Sequence, residues 1–425
     1  KIINTFGTRL ISAILNLLIA IIISRFLGPE GKGEQGLIVT TIAYILVFAN
    51  LMGGGAIVFL TPKFHYAHIL LPAYVWTVIT GVIFFGVLSL FSLVDTGFVV
   101  HICILAVISA FAAVNSSLLI GKEKIGSSNF VALVQPLVVT AGLVFFFFML
   151  EELTIWSYIT SLYIAFGTSF LISLFYLSKF GGRFSVAGWP GYMEVIRKMI
   201  RYGVLNQLAH IFQLLSFRMS YYWLKQIYSE AEVGVYSNGT SLVESIWLIS
   251  RSISMVQYAR IANTNDKAYA QRLTVNLTVA GFVASLVLLL ILVFLPPDLF
   301  VWIYGSGFGE IGSVIQSLAP GVLFFNVALI MGHYFSGTGK YRVNTLASFA
   351  GLVVSVIMFS IMIPRFGITG AGWATSISYF VTSVVVFLIF YREAAFKPIE
   401  YLPERNEIKD LIATLKGYFK SSGGK

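Results

Sequence analysis

Apolar residues run along the chain in stretches of some twenty positions, parted by short clusters of Gly, Pro and charged residues. A helix that crosses a bilayer takes about 20 apolar residues. The stretches predict membrane helices over residues 5–26, 37–60, 69–92, 98–120, 127–150 and 153–178, and a second set over 201–224, 236–258, 272–295, 312–336, 343–364 and 368–391. The pattern reads as an all-α polytopic membrane protein with twelve transmembrane helices.

Composition excludes the soluble classes. Of 425 residues, 58% are hydrophobic and 11% charged, against roughly 25% charged in soluble domains; mean hydropathy is +0.88. Cys103 is the one cysteine, so neither an internal disulfide nor a Cys-rich metal site is possible. No metal and no cofactor is expected. A net charge of +10 would point to nucleic acid in a soluble protein. Here it reflects the gathering of Lys and Arg in cytoplasmic loops, and no nucleic-acid partner is expected.

Loop charges set the orientation. With the N-terminus in the cytoplasm, 21 basic residues fall inside and only Arg25, Lys32, Lys225 and Arg365 outside. The acids Glu30, Glu34, Asp95, Glu151, Glu152, Glu230, Glu232, Asp298 and Glu310 lie on the outer side. Both termini are therefore expected in the cytoplasm. Four segments follow: an N-terminal six-helix bundle (1–178), a cytoplasmic linker (179–200), a C-terminal six-helix bundle (201–391) and a cytoplasmic tail (392–425). In the tail, Ile408, Leu411, Ile412 and Leu415 have the spacing of a short amphipathic helix on the inner surface; a solvated tail is the competing reading.

The halves carry traces of a repeat. Gly121-Lys122-Glu123-Lys124 follows the fourth helix and Gly339-Lys340-Tyr341-Arg342 the tenth, with Ser117 and Ser336 before them and Asn129 and Asn344 after. Six helices per half is an even number, so the halves share one orientation. Parallel repeats of this kind are a transporter architecture with the substrate site between the halves. The plainer alternative is that Gly, Lys and Ser are common in short cytoplasmic turns. Gly53-Gly54-Gly55 is expected to bend or closely pack the second helix, and Pro136 and Pro320 to kink the fifth and tenth. The Gly-Thr-Gly-Lys at 337–340 lacks the spacing of a phosphate loop, and no ATP-binding motif is present.

Polar groups inside the predicted helices carry the functional information. A charge at mid-bilayer costs about 2.5–3.5 kcal/mol on insertion scales, so it needs a wet cavity or a partner. Thr5, Arg9, Ser12 and Asn16 form a stripe on helix one. Helix seven carries Asn206, Gln207, His210, Gln213 and Arg218, and helix eight Ser237, Ser241, Glu244 and Arg251. One aqueous cavity between the halves would receive all three faces. Three arginines against one glutamate make it cationic, and guanidinium groups hold phosphate in planar, bidentate contacts. The candidate substrate-binding residues are thus Arg9, Arg218, Arg251, Asn16, Asn206, Gln207, His210 and Gln213, with an anionic headgroup such as a lipid diphosphate as ligand. In the competing reading, Arg9 and Arg251 snorkel to the interface and Arg218 pairs with Glu244. Glu244 lies seven residues, about 10.5 Å, from Arg251. It is a candidate for pairing with an arginine of another helix or for coupling to H⁺ or Na⁺.

Ser24-Arg25-Phe26-Leu27-Gly28-Pro29-Glu30-Gly31-Lys32-Gly33 resembles the opening signature of polysaccharide biosynthesis flippases. Tyr304-Gly305-Ser306-Gly307-Phe308, Leu318-Ala319-Pro320-Gly321, Ser336-Gly337-Thr338-Gly339-Lys340, Ile363-Pro364-Arg365-Phe366-Gly367-Ile368 and Gly370-Ala371-Gly372-Trp373-Ala374-Thr375 resemble later motifs of that group, in order, over roughly 1–392. The group is the polysaccharide-transport branch of the multidrug/oligosaccharidyl-lipid/polysaccharide (MOP) exporter superfamily.

The resemblance implies a V-shaped, MATE-like fold of two six-helix bundles around a central cavity. It implies a flippase, not an enzyme, that moves an undecaprenyl-diphosphate-linked oligosaccharide from the cytoplasmic to the outer leaflet of the bacterial cytoplasmic membrane by alternating access. Relatives use cavity arginines on helices one, seven and eight, an arrangement that Arg9, Arg218 and Arg251 fit. With twelve helices, an O-antigen, capsule or teichuronic-type unit fits better than the peptidoglycan precursor. Expected partners are the lipid-linked oligosaccharide, membrane lipids, and a polysaccharide polymerase and assembly enzymes. The rivals are an ion-coupled MATE-type exporter of small molecules, which wants unpaired cavity acids, and a membrane-embedded polysaccharide polymerase, which wants large interfacial loops.

Overall fold

The computed structural model describes residues 2–181 and 189–394, except for the side chains of residues 2–6, 181, 189, 190, 205 and 206. The tail helix expected around Ile408–Leu415 lies outside the described residues. Among the described residues every regular element is helical.

Helix α1 (Ile2–Ala49) contains two legs joined at Gly28, where the sequence places the first outer loop. Gly28 has φ 68° and ψ −169°, a conformation that a Cβ would strain. A 3₁₀ turn (Asn50–Met52) then leads to α2 (Gly54–Leu60), with Gly53 extended and Gly54 at φ 48°. The triple glycine thus bends the second span, as expected. There follow α3 (Tyr66–Phe91), α4 (Thr96–Gly121), α5 (Ile125–Val144), which ends in a π turn at Phe145–Met149, and α6 (Ile155–Gly181). The second half holds α7 (Trp189–Ile227), α8 (Glu230–Ser245), α9 (Trp247–Ala262), α10 (Lys267–Val293), the short α11 (Pro297–Tyr304), α12 (Ile311–Gly337) and α13 (Tyr341–Ala394). Like α1, α13 has two legs, broken at Gly367 (φ 56°). The helices α5 and α12 run through Pro136 and Pro320.

Among the described residues, eight segments qualify by length and hydropathy as membrane spans; two of them, each 54 residues long, contain the breaks at Gly28 and Gly367. The 16-residue helices α8 and α9 are each too short to cross alone, and one residue, Ile246, separates them.

Helix α7 differs from its expected extent. It begins at Trp189 instead of near residue 201, and α6 runs to Gly181, so about two thirds of the expected linker is helix. Its first turns bury Val195 and Met199 against Met52, Ile57, Leu60, Ile69 and Leu177 of the first half. Its later turns pack on α13, so one helix ties the halves together.

At the end rich in acids, the halves are in close contact. The Asn238 amide donates to Ser24 Oγ at 2.8 Å, and the Thr41 and Tyr222 hydroxyls meet at 2.8 Å. A Cβ at Gly33 would collide with the Glu230 carbonyl, and one at Gly234 with the Pro29 carbonyl. These glycines are what allows α1 and α8 to touch along their backbones. The Arg25 guanidinium donates to the carbonyls of Trp302 and Ile303, which fastens α11 to α1.

The repeat is visible in the turns. After α4, Lys124 N–H donates to Leu119 O and Glu123 N–H to Ile120 O; after α12, Lys340 N–H donates to Phe335 O and Gly339 N–H to Ser336 O. Both are Schellman caps, with Glu123 (φ 60°) and Gly339 (φ 77°) as the left-handed residues. Gly121 therefore corresponds to Gly337, two positions from the match the sequence pattern offers.

Candidate functional site

A cavity of about 860 Å³ lies toward the basic end of the molecule. Nearly all of its wall belongs to the second half: Gln207, His210 and Gln213 on α7, Arg251, Met255 and Tyr258 on α9, and parts of α12 and α13. From the first half come Arg9 and Gly55. Among the described residues that line it there is no carboxylate.

Five of the expected site residues meet here: Arg9, Gln207, His210, Gln213 and Arg251. Both arginines are exposed to the cavity, and neither has an ion-pair partner among the described residues. Arg9 Nη1 lies 3.6 Å from Met255 Sδ, so it faces α9 across the gap between the halves. The Arg251 guanidinium lies 5.9 Å from the Trp247 ring centre. Two unpaired guanidiniums, one from each half, thus converge on one wet space.

Arg218 does not line this cavity. Its Nη1 and Nη2 donate to Glu244 Oε1 (3.0 Å) and Oε2 (2.6 Å), a bidentate pair. The Tyr379 hydroxyl donates to the same Glu244 Oε1 at 2.8 Å, and the Tyr221 ring flanks the guanidinium at 5.7 Å. The side chains of Arg218 and Glu244 are 22% and 12% exposed. Of the three arginines expected at one cavity, two therefore line it, because the acid that lies within reach of Arg218 satisfies its charge inside the second half. Glu244 is correspondingly engaged in charge pairing.

Glu244 and Arg251, seven residues apart, thus part company: Glu244 near the end of α8 is paired within the second half, and Arg251 on α9 lines the cavity. The junction between the two helices, Ile246, keeps helical dihedrals (φ −61°, ψ −30°). Ser237 and Ser241, of the same expected stripe, bond to Gly234 O and Ser237 O within α8.

Asn16 is exposed on α1 and does not line the cavity; it follows the first leg of α1, where Ile14 (53%) and Leu17 (45%) are exposed too. The side chains of Asn206 and Thr5 lie outside the described residues. Hydrophobic patterning missed the rest of the wall: Tyr258, His333, Ser336, Tyr341, Asn344 and Ser348. These are neutral residues near helix ends, and a search for charges inside spans passes over them.

Comparisons place this geometry among known proteins. The fold is similar to a multidrug-resistance MATE-family transporter of the MOP superfamily in its inward-facing conformation, with a TM-score of 0.71 at 16% identity over 93% of this chain and 98% of that one. It is equally similar to the lipid II flippase MurJ in an inward closed conformation, with a TM-score of 0.72 at 13% identity over 99% and 93%. An outward-facing MATE transporter gives 0.62 at 15% identity, over 92% and 94%. In sequence, the capsular polysaccharide biosynthesis protein CapF of Staphylococcus aureus is 24% identical over 40% of this chain and 43% of its own length. The uncharacterized membrane protein YabM of Bacillus subtilis (strain 168) is 29% identical over 34% and 28%. The aligned region therefore spans less than half of either relative. The described span composition and these likenesses make the chain a multi-pass membrane protein with the MATE/MurJ-like fold. A family model described as polysaccharide biosynthesis protein matches residues 1–264, from the first helix past Arg251 and so over more than half of the sequence, and the chain belongs to that family.

Proposed function

We propose that the protein is a flippase that carries a lipid-diphosphate-linked oligosaccharide from the cytoplasmic to the outer leaflet of a bacterial cytoplasmic membrane. The observation that supports this reading is the pairing of Arg9 with Arg251 across the cavity, with no carboxylate among the described lining residues. Two unpaired guanidiniums that share one cavity attract a multivalent anion and repel organic cations. A diphosphate has enough acceptor oxygens to serve both at once.

The mechanism that follows is alternating access. The basic end is taken as cytoplasmic because of its Lys and Arg. There the headgroup enters between Arg9 and Arg251 while the polyprenyl chain stays in lipid. Neutralisation of the two arginines removes the repulsion that holds the halves apart at this end. Opening of the acidic end then breaks the Ser24–Asn238 and Thr41–Tyr222 contacts and releases the headgroup outside. Net transport needs an ion gradient or consumption of the product, since a carrier alone moves no equilibrium. An exporter of cationic compounds, the second reading, needs a free carboxylate in the cavity. Glu244 is held by Arg218 and Tyr379, which disfavours both that reading and a coupling role for Glu244.

The test is reconstitution in liposomes with lipid-diphosphate-oligosaccharides, measuring translocation with and without pH and Na⁺ gradients. The wild type is expected to move the lipid, and Arg251→Ala to lose most of the rate while inserting normally. Unchanged transport in Arg9→Ala/Arg251→Ala overturns the reading.

A further inference from the structure

The cavity has two chemically different walls, and the flippase reading uses only one. Besides the guanidiniums, the lining includes uncharged polar and aromatic residues from the end of α12 and the start of α13, together with Tyr258 of α9. Tyr258 and Tyr341 are 40% and 39% exposed, and the two phenols lie within electrostatic reach of each other. Water-exposed aromatic faces that line a cavity are unfavourable unless something apolar covers them.

The hydrogen bonds behind these rings fix what this wall offers. His333 Nδ1 lies 2.7 Å from the Leu329 carbonyl. A carbonyl only accepts, so Nδ1 carries the proton, and in the neutral ring Nε2 is left as an acceptor. Asn344 Nδ2 donates to Gly332 O (2.9 Å) and to Ser336 Oγ (3.0 Å), which uses both amide hydrogens and leaves Oδ1 as an acceptor. Lys340, the nearest lysine in sequence, is held by Glu393 at 2.6 Å and adds no free charge. The wall therefore offers two exposed phenol rings, the Asn344 Oδ1 acceptor and, in the neutral imidazole, the His333 Nε2 acceptor.

A sugar ring has the complementary surface: one face of C–H groups and a rim of hydroxyl donors. Tyr258 follows Arg251 by seven residues on α9, which puts both on one face about 10.5 Å apart. A diphosphate at Arg251 would extend its first glycosyl units toward the tyrosines. We infer that Tyr258 and Tyr341, with His333 and Asn344, form a glycan subsite that stacks the diphosphate-proximal sugars of the cargo. This inference rests on the flippase reading and deepens it, by assigning selection of the sugar to residues distinct from those that hold the phosphates.

The test separates the two. Purified protein in nanodiscs is titrated with farnesyl diphosphate and with its N-acetylglucosamine- and galactose-capped forms. Wild type is expected to bind at least one capped probe roughly tenfold more tightly than the bare diphosphate. Tyr258→Ala/Tyr341→Ala should erase that increment and hold the bare probe within about twofold, and Tyr258→Phe/Tyr341→Phe should keep most of the increment because the ring faces remain. Equal affinity of wild type for capped and bare probes overturns the glycan subsite and leaves the diphosphate reading standing. Loss of the bare probe in the alanine variant, with the melting temperature unchanged, also overturns it. Failure of wild type to bind any of the three overturns the flippase reading itself.

Discussion

Arg218 and Arg251 begin alike, as arginines on adjacent polar helices of the second half, yet the fold treats them in opposite ways. Arg218 is clamped by both oxygens of Glu244, flanked by Tyr221, and sits beside a Tyr379 hydroxyl that shares the acid. Arg251 stands in an open cavity with no acid beside it and with Arg9 of the first half as the other cation on the wall. A charge closed off in protein must be neutralised where it lies, so the first arrangement is structural. A charge left unpaired in a wet pocket retains its attraction for an external anion, so the second is available for a ligand. The difference lies in the supply of carboxylates, and Glu244 is the only acid inside the predicted spans.

The largest expected effect tests the closed pair. Arg218→Ala strands the Glu244 carboxylate in a mostly buried place, a change that costs about 3–5 kcal/mol. Thermal unfolding in detergent should show a large fall in melting temperature, and farnesyl diphosphate affinity in the surviving folded fraction should stay near that of wild type. Replacing both partners, as Arg218→Met/Glu244→Leu, should recover most of the loss, because an apolar pair of similar volume needs no counter-charge. If Arg218→Ala melts like wild type but loses diphosphate binding, the contrast between the two arginines collapses.

The open pair should respond in the reverse sense. Arg251→Ala and Arg9→Ala remove groups with no ion-pair partner among the described residues, so stability should change by no more than about 0.5 kcal/mol. Diphosphate affinity should fall about 10- to 100-fold for each, the equivalent of one charge-assisted contact of about 1.5–3 kcal/mol. Arg251→Lys should recover only part of it, since an ammonium cannot make the bidentate contact. Raising the salt concentration should weaken wild-type binding and leave the Arg218–Glu244 pair little affected, because screening acts on exposed charges. Isothermal titration at two ionic strengths reads the first arm, and the Arg218→Ala loss of melting temperature at the same two strengths reads the second.

These outcomes also mark what the sequence made legible. The loops at Gly28 and Gly367, the bend at the triple glycine and the meeting of Arg9, Gln207, His210, Gln213 and Arg251 all follow from hydropathy breaks and from the need to hydrate polar helix faces. The fate of Arg218 did not follow. Helical spacing puts Arg218, Glu244 and Arg251 alike on polar faces, and only the packing of α7, α8 and α13 brings Arg218 and Tyr379 onto Glu244. The repeat was visible but two positions out of register, because identical letters at Gly339-Lys340 outweighed the hydrogen-bond pattern that equates Glu123 with Gly339. The neutral wall was missed altogether, since Tyr341 and Asn344 look like any helix start in a cytoplasmic turn.

The acidic end offers a third electrostatic arrangement, acids of like sign, and with it the smallest effect. Glu232 and Glu310 line one cleft of about 330 Å³, which Pro29 of the first half helps to wall. Burial in that cleft raises the Glu232 carboxyl above its ordinary range, and the neighbouring Glu310 charge raises it further. A raised acid prefers to be protonated in the closed form, so the closed form binds more protons than an open one in which the cleft is wet. Closure of this end should therefore strengthen as pH falls through the raised value and weaken as pH rises above it. Because both groups remain partly accessible to solvent, the shift should be modest. Spin labels on the outer ends of α3 and α10, read by pulsed electron paramagnetic resonance, should show a larger closed population at pH 5 than at pH 7.5, and Glu232→Gln should flatten the difference. Opening that increases toward acid pH would mean that the cleft behaves like the Arg218–Glu244 pair, held by ionised groups instead of strained by them.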